Sequence, residues 1–207
     1  MNIREIMQIS PVIPVVVIDD IALAVPLADA LVKGGLYVLE ITLRTPQALR
    51  IIKEIAENVP DVIVGAGTIV RPEQFSAVKA AGATFAVTPG LTAELASAAN
   101  ACHMPVLPGV MTPSDVIVAM NAGYNALKFF PAQFAGGVAM LKALSGPFNE
   151  VVFCPTGGIT LANANDFLAL PNVLCVGGSW MCSRDLISSE KWSEITEIAK
   201  VAKALKG

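Results

Sequence analysis

The chain is poor in the residues that usually mark a site. Among its 207 residues there is one histidine, His103, and the four cysteines, Cys102, Cys154, Cys175 and Cys182, form no C-x-x-C pair. Without histidine clusters or paired cysteines the usual transition-metal ligand sets lack donors, which argues against a metal-dependent enzyme. Charge is scarce as well. Charged residues make up 15% against 54% hydrophobic, and 14 basic residues against 17 acidic ones leave a net charge of −3. That balance offers no basic surface for nucleic acid or for an anionic membrane. No apolar run reaches the roughly 18–20 residues of a membrane-spanning helix, and Met1-Asn2-Ile3-Arg4-Glu5 has no signal-peptide core. A cytoplasmic protein with reduced thiols is expected, Cys154 and Cys175 lying within strands as small hydrophobes.

What is present is alternation. Short apolar runs recur about every 25 residues, separated by segments with helical periodicity. After a short N-terminal helix, strands are expected at Val12–Ile18, Tyr37–Leu43, Val62–Ala66, Phe85–Val87, Pro105–Leu107, Ala126–Pro131, Val151–Cys154 and Leu174–Val176. Asp19-Asp20, Thr45-Pro46, Pro72, Thr92 and Thr112-Pro113 read as helix starts, while Pro26 marks a kink or a late start. Trp192, Ile195, Ile198, Ala202 and Leu205 give the last helix one apolar face. Continuously apolar strands joined by helical crossovers imply a parallel sheet covered by helices. Eight such units in about 200 residues fit a compact (β/α)8 TIM barrel with a short N-terminal helix, residues 1–207 forming one domain. A doubly wound open sheet is the alternative.

One strand is out of character. Ala126-Leu127-Lys128-Phe129-Phe130-Pro131 is aliphatic and aromatic except for its lysine. Alternation puts Lys128 and Phe130 on one face and Leu127 and Phe129 on the other, and both faces read as buried. On the second strand Glu40, Thr42 and Arg44 share one parity and Leu39, Ile41 and Leu43 the other, so the polar set turns into the barrel. Barrel chemistry sits at the C-terminal ends of strands, where Glu40, Arg44 and Lys128 would converge; Asp61 and Glu150 stand at strand starts, on the opposite rim. A structural ion pair would account for Glu40 and Lys128 alone, whereas three converging charges favour a site.

Withdrawal from water favours the neutral, nucleophilic form of an amine. Attack on a ketone then gives a carbinolamine and an iminium, an electron sink for making or breaking a carbon–carbon bond. Glu40 is the only strand-borne carboxylate available as a proton shuttle, and Arg44 offers a planar fork for a carboxylate. The set points to a Schiff-base lyase acting on a keto acid. Pro155-Thr156-Gly157-Gly158 and Gly177-Gly178-Ser179 end the last two strands, where barrels bind phosphate. Gly65-Ala66-Gly67-Thr68 matches neither nucleotide-loop pattern and is read as close packing that delivers Thr68 to the rim. Two other classes stay open at this point. One is a sugar-phosphate isomerase or epimerase using Glu40 and Lys128 without a covalent bond; the other is a non-catalytic sugar-phosphate binding module.

Taken together, Gly34-Gly35, Val38 to Thr45, Gly65 to Thr68, Thr88-Pro89-Gly90, Lys128 to Ala132, Cys154 to Gly158 and Gly177 to Trp180 resemble, in order and spacing, the bacterial 2-keto-3-deoxy-6-phosphogluconate (KDPG) and 4-hydroxy-2-oxoglutarate (KHG) aldolase family. The resemblance runs from about Val12 to the C-terminal helix. It implies a class I aldolase of the Entner–Doudoroff pathway, yielding pyruvate and glyceraldehyde 3-phosphate from KDPG, or pyruvate and glyoxylate from KHG. It implies Lys128 as the Schiff-base lysine, Glu40 as the general acid/base, and Arg44 and Thr68 as binders of the pyruvyl carboxylate. Pro89 and Phe130 would line that pocket, Thr156 would influence stereochemical preference at C4, and Gly157, Gly158, Gly178 and Ser179 would cradle the phosphate. A homotrimer without metal or other cofactor is also implied. The sequence departs from the family in a shorter N-terminal helix, in Gln133-Phe134 where an acid is common, and in Thr88 where serine is common. The aldolase for the galactonate epimer is the nearest rival, and Thr156 leans against it.

Overall fold

In chain order the strands are Val12–Val16 (β1), Val38–Thr42 (β2), Ile63–Gly67 (β3), Phe85–Val87 (β4), Val106–Leu107 (β5), Gly109–Val110 (β6), Ala126–Phe129 (β7), Val152–Pro155 (β8) and Val176–Gly178 (β9) in the computed structural model, which describes residues 1–205. All pairings between them are parallel. One sheet runs β5-β4-β3-β2-β1-β9 and the other β6-β7-β8. The two are parts of one cylinder. β5 and β6 are halves of a single stave parted at Pro108, which has no N–H for a ladder and whose carbonyl accepts from the Lys128 N–H at 2.8 Å. β8 meets β9 through the bridges Phe153–Val173 and Thr156–Gly177. Eight staves thus close into the (β/α)8 barrel expected, and the open sheet is set aside.

Strand parity divides the core in two. Leu39, Ile41, Leu127 and Phe129 pack outward into the layer between strands and helices. Val38, Phe85, Val87, Leu107, Ala126, Val152, Cys154 and Cys175 fill the lumen. The N-terminal helix Ile3–Met7 closes the lower end despite its five residues. Asn2 and Glu5 form a capping box at its start, and Ile6 and Met7 are buried with the lumen cluster.

The helix starts follow their side-chain caps. Thr92 caps Ala93–Cys102, and Thr112 with Asp115 forms a capping box for Pro113–Asn121. A 3-10 turn over Ile21–Leu23 precedes the helix Ala24–Lys33, so Pro26 lies in its first turn, where a missing N–H costs nothing. Strand bounds shift by one or two residues from expectation, and two shifts matter. β2 ends at Thr42, which leaves Arg44 in the following turn. The fifth stave resumes beyond Pro108, so ending it at Leu107 overlooks Gly109, the register partner of Lys128.

The thiols report on this packing. Cys154, Cys175 and Cys182 are buried and Cys102 is half-exposed. Burial pushes the Cys182 thiol up to about 12. A hydrogen bond with Cys154, together with burial, raises that of Cys175. Thiols that stay protonated and enclosed are inert. A disulfide reagent such as DTNB should therefore titrate Cys102 alone in the folded protein and all four cysteines in denaturant; rapid native reaction of a second thiol would contradict the lumen packing.

Candidate active site

Glu40 and Lys128 project into the lumen from β2 and β7 and meet there. Lys128 Nζ donates to Glu40 Oε1 at 3.2 Å, with side-chain exposures of only 5% and 4%. The Phe130 ring, on the same strand face, has its centroid 5.3 Å from Nζ. Among the described residues neither charged group has another hydrogen-bond partner, so the second carboxylate oxygen and two ammonium protons are unused. A buried ion pair satisfied by a single contact is an unusual structural device, and it is the arrangement an amine and its proton acceptor need. Thr42 shares their face, but its hydroxyl donates to the Val16 carbonyl at 2.9 Å and ties β2 to β1.

Arg44 stands exposed on the rim beyond β2. Its Nε donates to Thr68 Oγ1 at 3.1 Å, and it has no carboxylate partner among the described residues. Thr68 follows β3 with φ of 61°, a left-handed conformation that is costly for a β-branched residue. The two residues implied as carboxylate binders are thus joined to each other, one as an unpaired cation and the other under backbone strain. Pro89 and Phe130 line a cleft of about 390 Å³ with Gly90, Gly109 and Met111. Beneath it Thr88 accepts the Gly109 N–H at 3.3 Å. A larger hollow of about 470 Å³ opens at the opposite rim beside Ile63, Ala83, His103 and Met104, away from the lysine.

The remaining rim lies at the ends of β8 and β9. Thr156 is buried, with Oγ1 3.8 Å from Cys154 Sγ. Cys154 is the register partner of Lys128 and shares the lumen face with Thr156. It packs in the lumen as the small hydrophobe expected, and its register also places it beneath the site. Gly157 and Gly158 have φ of 98° and 77°, and the Phe130 ring lies 3.3 Å from where a Cβ on Gly157 would be. Gly178 has a different reason to be glycine: a side chain there would overlap the Trp180 indole. Ser179 is exposed at the mouth. The barrel therefore gathers every residue singled out for the site at its C-terminal end and leaves His103 at the other.

The family model described as KDPG and KHG aldolase matches residues 3–198. The 2-dehydro-3-deoxy-phosphogluconate aldolase of Dickeya dadantii is 50% identical over 201 residues, covering 97% of this chain and 94% of the relative. The KHG/KDPG aldolase of Escherichia coli K12 is 48% identical over 199 residues, covering 96% and 93%. Among solved structures, the KDPG aldolase of Legionella pneumophila, with pyruvate captured as a covalent carbinolamine, superposes with a TM-score of 0.95 at 48% identity, covering 97% of this chain and 98% of that one.

The strain at Thr68 is open to measurement. Glycine occupies φ near 60° without a Cβ penalty, so Thr68→Gly should raise stability by about 1 kcal/mol in urea unfolding. The same change removes the hydroxyl beside Arg44 and should weaken pyruvate binding by roughly tenfold, the worth of one charge-assisted hydrogen bond. Loss of stability together with unchanged binding would show that the conformation is neither strained nor used.

Proposed function

The chain belongs to the KDPG and KHG aldolase family, and on that footing we propose that this carbon–carbon lyase acts as a class I aldolase. Its substrates are KDPG, cleaved to pyruvate and glyceraldehyde 3-phosphate, and KHG, cleaved to pyruvate and glyoxylate. The observation that carries this reading is the Lys128–Glu40 contact of 3.2 Å inside the barrel, beneath a rim with an unpaired arginine.

Chemistry follows from that geometry. Lys128 passes a proton to Glu40, and the free amine adds to the C2 carbonyl of the keto acid. The carbinolamine oxygen takes that proton back from Glu40 and leaves as water, forming an iminium and restoring the carboxylate. The Glu40 carboxylate then removes the C4 hydroxyl proton. As the C3–C4 bond breaks, its electron pair flows into the iminium, giving an enamine and the free aldehyde. Glu40 returns the proton to C3, and water releases pyruvate and the amine. Because the iminium is the electron sink, the reaction calls for no metal or other cofactor.

Arg44 and Thr68 hold the pyruvyl carboxylate, and Pro89 and Phe130 line its pocket. Thr156 discriminates configuration at C4, while Gly157, Gly158, Gly178 and Ser179 cradle the phosphate. We place the protein in the cytoplasm as one barrel domain with small-molecule substrates. Among the described residues no helix is long and apolar enough to cross a membrane. It assembles as a homotrimer, a reading supported by the apolar side chains it exposes: Val70 and Met111 border the cleft beside Pro89, and Ile117 and Val118 lie on the helix Pro113–Asn121.

Borohydride reduction with pyruvate should attach one pyruvate-derived group to the peptide carrying Lys128, detected by intact mass and peptide mapping, and Lys128→Ala should abolish it. Folded protein that binds pyruvate yet yields no adduct would refute the imine and leave the non-covalent isomerase. Sedimentation equilibrium should return three times the chain mass of 21.6 kDa. A mass equal to one chain at micromolar concentration would reject the trimer.

A further inference from the structure

Glu40 is flanked on the neighbouring strand by two glycines. It pairs in register with Gly65, and Thr42, next on the same face, pairs with Gly67. Neither glycine lies in the left-handed region, so their backbones would accept alanine. The space around them would not. A Cβ on Gly65 would enter the Phe85 ring, which belongs to the lumen packing below. A Cβ on Gly67 would overlap Glu40 Oε1 and stand 2.6 Å from its Cγ and 2.7 Å from its Cδ, within the range where something must move.

We propose that Gly67 is a positioning residue for the proton shuttle. The volume its missing side chain leaves open is where the Glu40 carboxylate rests, and that placement holds Oε1 at 3.2 Å from Lys128 Nζ. A glutamate has three rotatable side-chain bonds, and among the described residues the Glu40 carboxylate makes one hydrogen bond, to Lys128. Its conformation is therefore set by what surrounds it, and Gly67 supplies the side on which it lies. A methyl group there leaves two outcomes. Either the carboxylate swings away from Lys128, or β2 and β3 part. Proton transfer needs donor and acceptor within about 2.6–3.2 Å, and a displacement of about 1 Å costs on the order of 100-fold in rate.

The inference rests on the role assigned to Glu40 and separates from it experimentally. The bound enamine exchanges the methyl protons of pyruvate with solvent, a reaction that needs the shuttle but no carbon–carbon cleavage. In deuterated buffer, followed by proton NMR, Gly67→Ala should lose this exchange by about 100-fold, while borohydride reduction carried to completion still attaches pyruvate to Lys128. Glu40→Gln should lose it similarly. Folded Gly67→Ala that exchanges at the parental rate, beside an impaired Glu40→Gln, overturns the positioning role alone. An unimpaired Glu40→Gln overturns the shuttle and this inference with it. Should Gly67→Ala fail to fold, the double variant Glu40→Ala/Gly67→Ala decides. Removing the glutamate side chain makes room for the methyl group, so the double variant should be as stable as Glu40→Ala; if it fails while Glu40→Ala folds, steric contact with Glu40 is not what requires glycine.

Discussion

A lysine and a glutamate withdrawn from water face one another, since burying either charge without its partner costs about 3–5 kcal/mol, a large share of a domain's stability. β2 and β7 are not neighbours: β3, β4 and the stave formed by β5 and β6 stand between them on one side, and β1, β9 and β8 on the other. The contact between Glu40 and Lys128 therefore runs across the lumen, and it exists only because the sheet closes. Closure in turn depends on the apolar layer below. Val38, Phe85, Leu107 and Val152 fill that layer, and the N-terminal helix seals its end with Ile6 and Met7. Packing beneath and an ion pair above are two levels of one column.

The pair is deliberately under-satisfied in the sense that matters for reactivity. Each group has one partner among the described residues, so a substrate carbonyl entering the site meets hydrogen-bonding capacity that they do not use. Small residues keep that space open. Gly109 beside Lys128 lets the Thr88–Pro89 turn lie against β6, and Gly177 leaves room for the Thr156 side chain. The strained backbone of Thr68 belongs to the same pattern, with local stability traded for the position of a polar group. On the proposed reading the substrate spans the mouth, its carboxylate toward Arg44 and Thr68 and its phosphate toward the turns after β8 and β9, with C2 over Lys128.

Much of this was legible from parity alone. A period of two along Leu39–Arg44 and along Ala126–Phe130 turns Glu40 and Lys128 to the same interior, whatever the length of chain between them. Helix starts were legible because Thr92, Thr112 and Asp115 act on backbone N–H groups within a few residues. Less was legible where the cause lies on another strand. Thr42 looks like a site residue until the Val16 carbonyl is seen to take its hydroxyl. Cys154 looks like filler until its register with Lys128 is known. Gly178 reads as part of an anion loop, and only the fold adds that the Trp180 indole fills the space a side chain there would need.

The sequence by itself determined the alternation of strands and helices, the sidedness of each strand, and the identities of an amine, a carboxylate and a guanidinium able to work together. Those properties depend on local sterics and on periods of two and 3.6 residues, which act within a few positions of each other. The tertiary structure alone decided that Pro108 interrupts a stave without ending it, that the Glu40 carboxylate lies over Gly67, and that Arg44 reaches Thr68 from beyond the strand. These are contacts between segments tens of residues apart. They are set by register and closure of the barrel, and no local pattern carries that information.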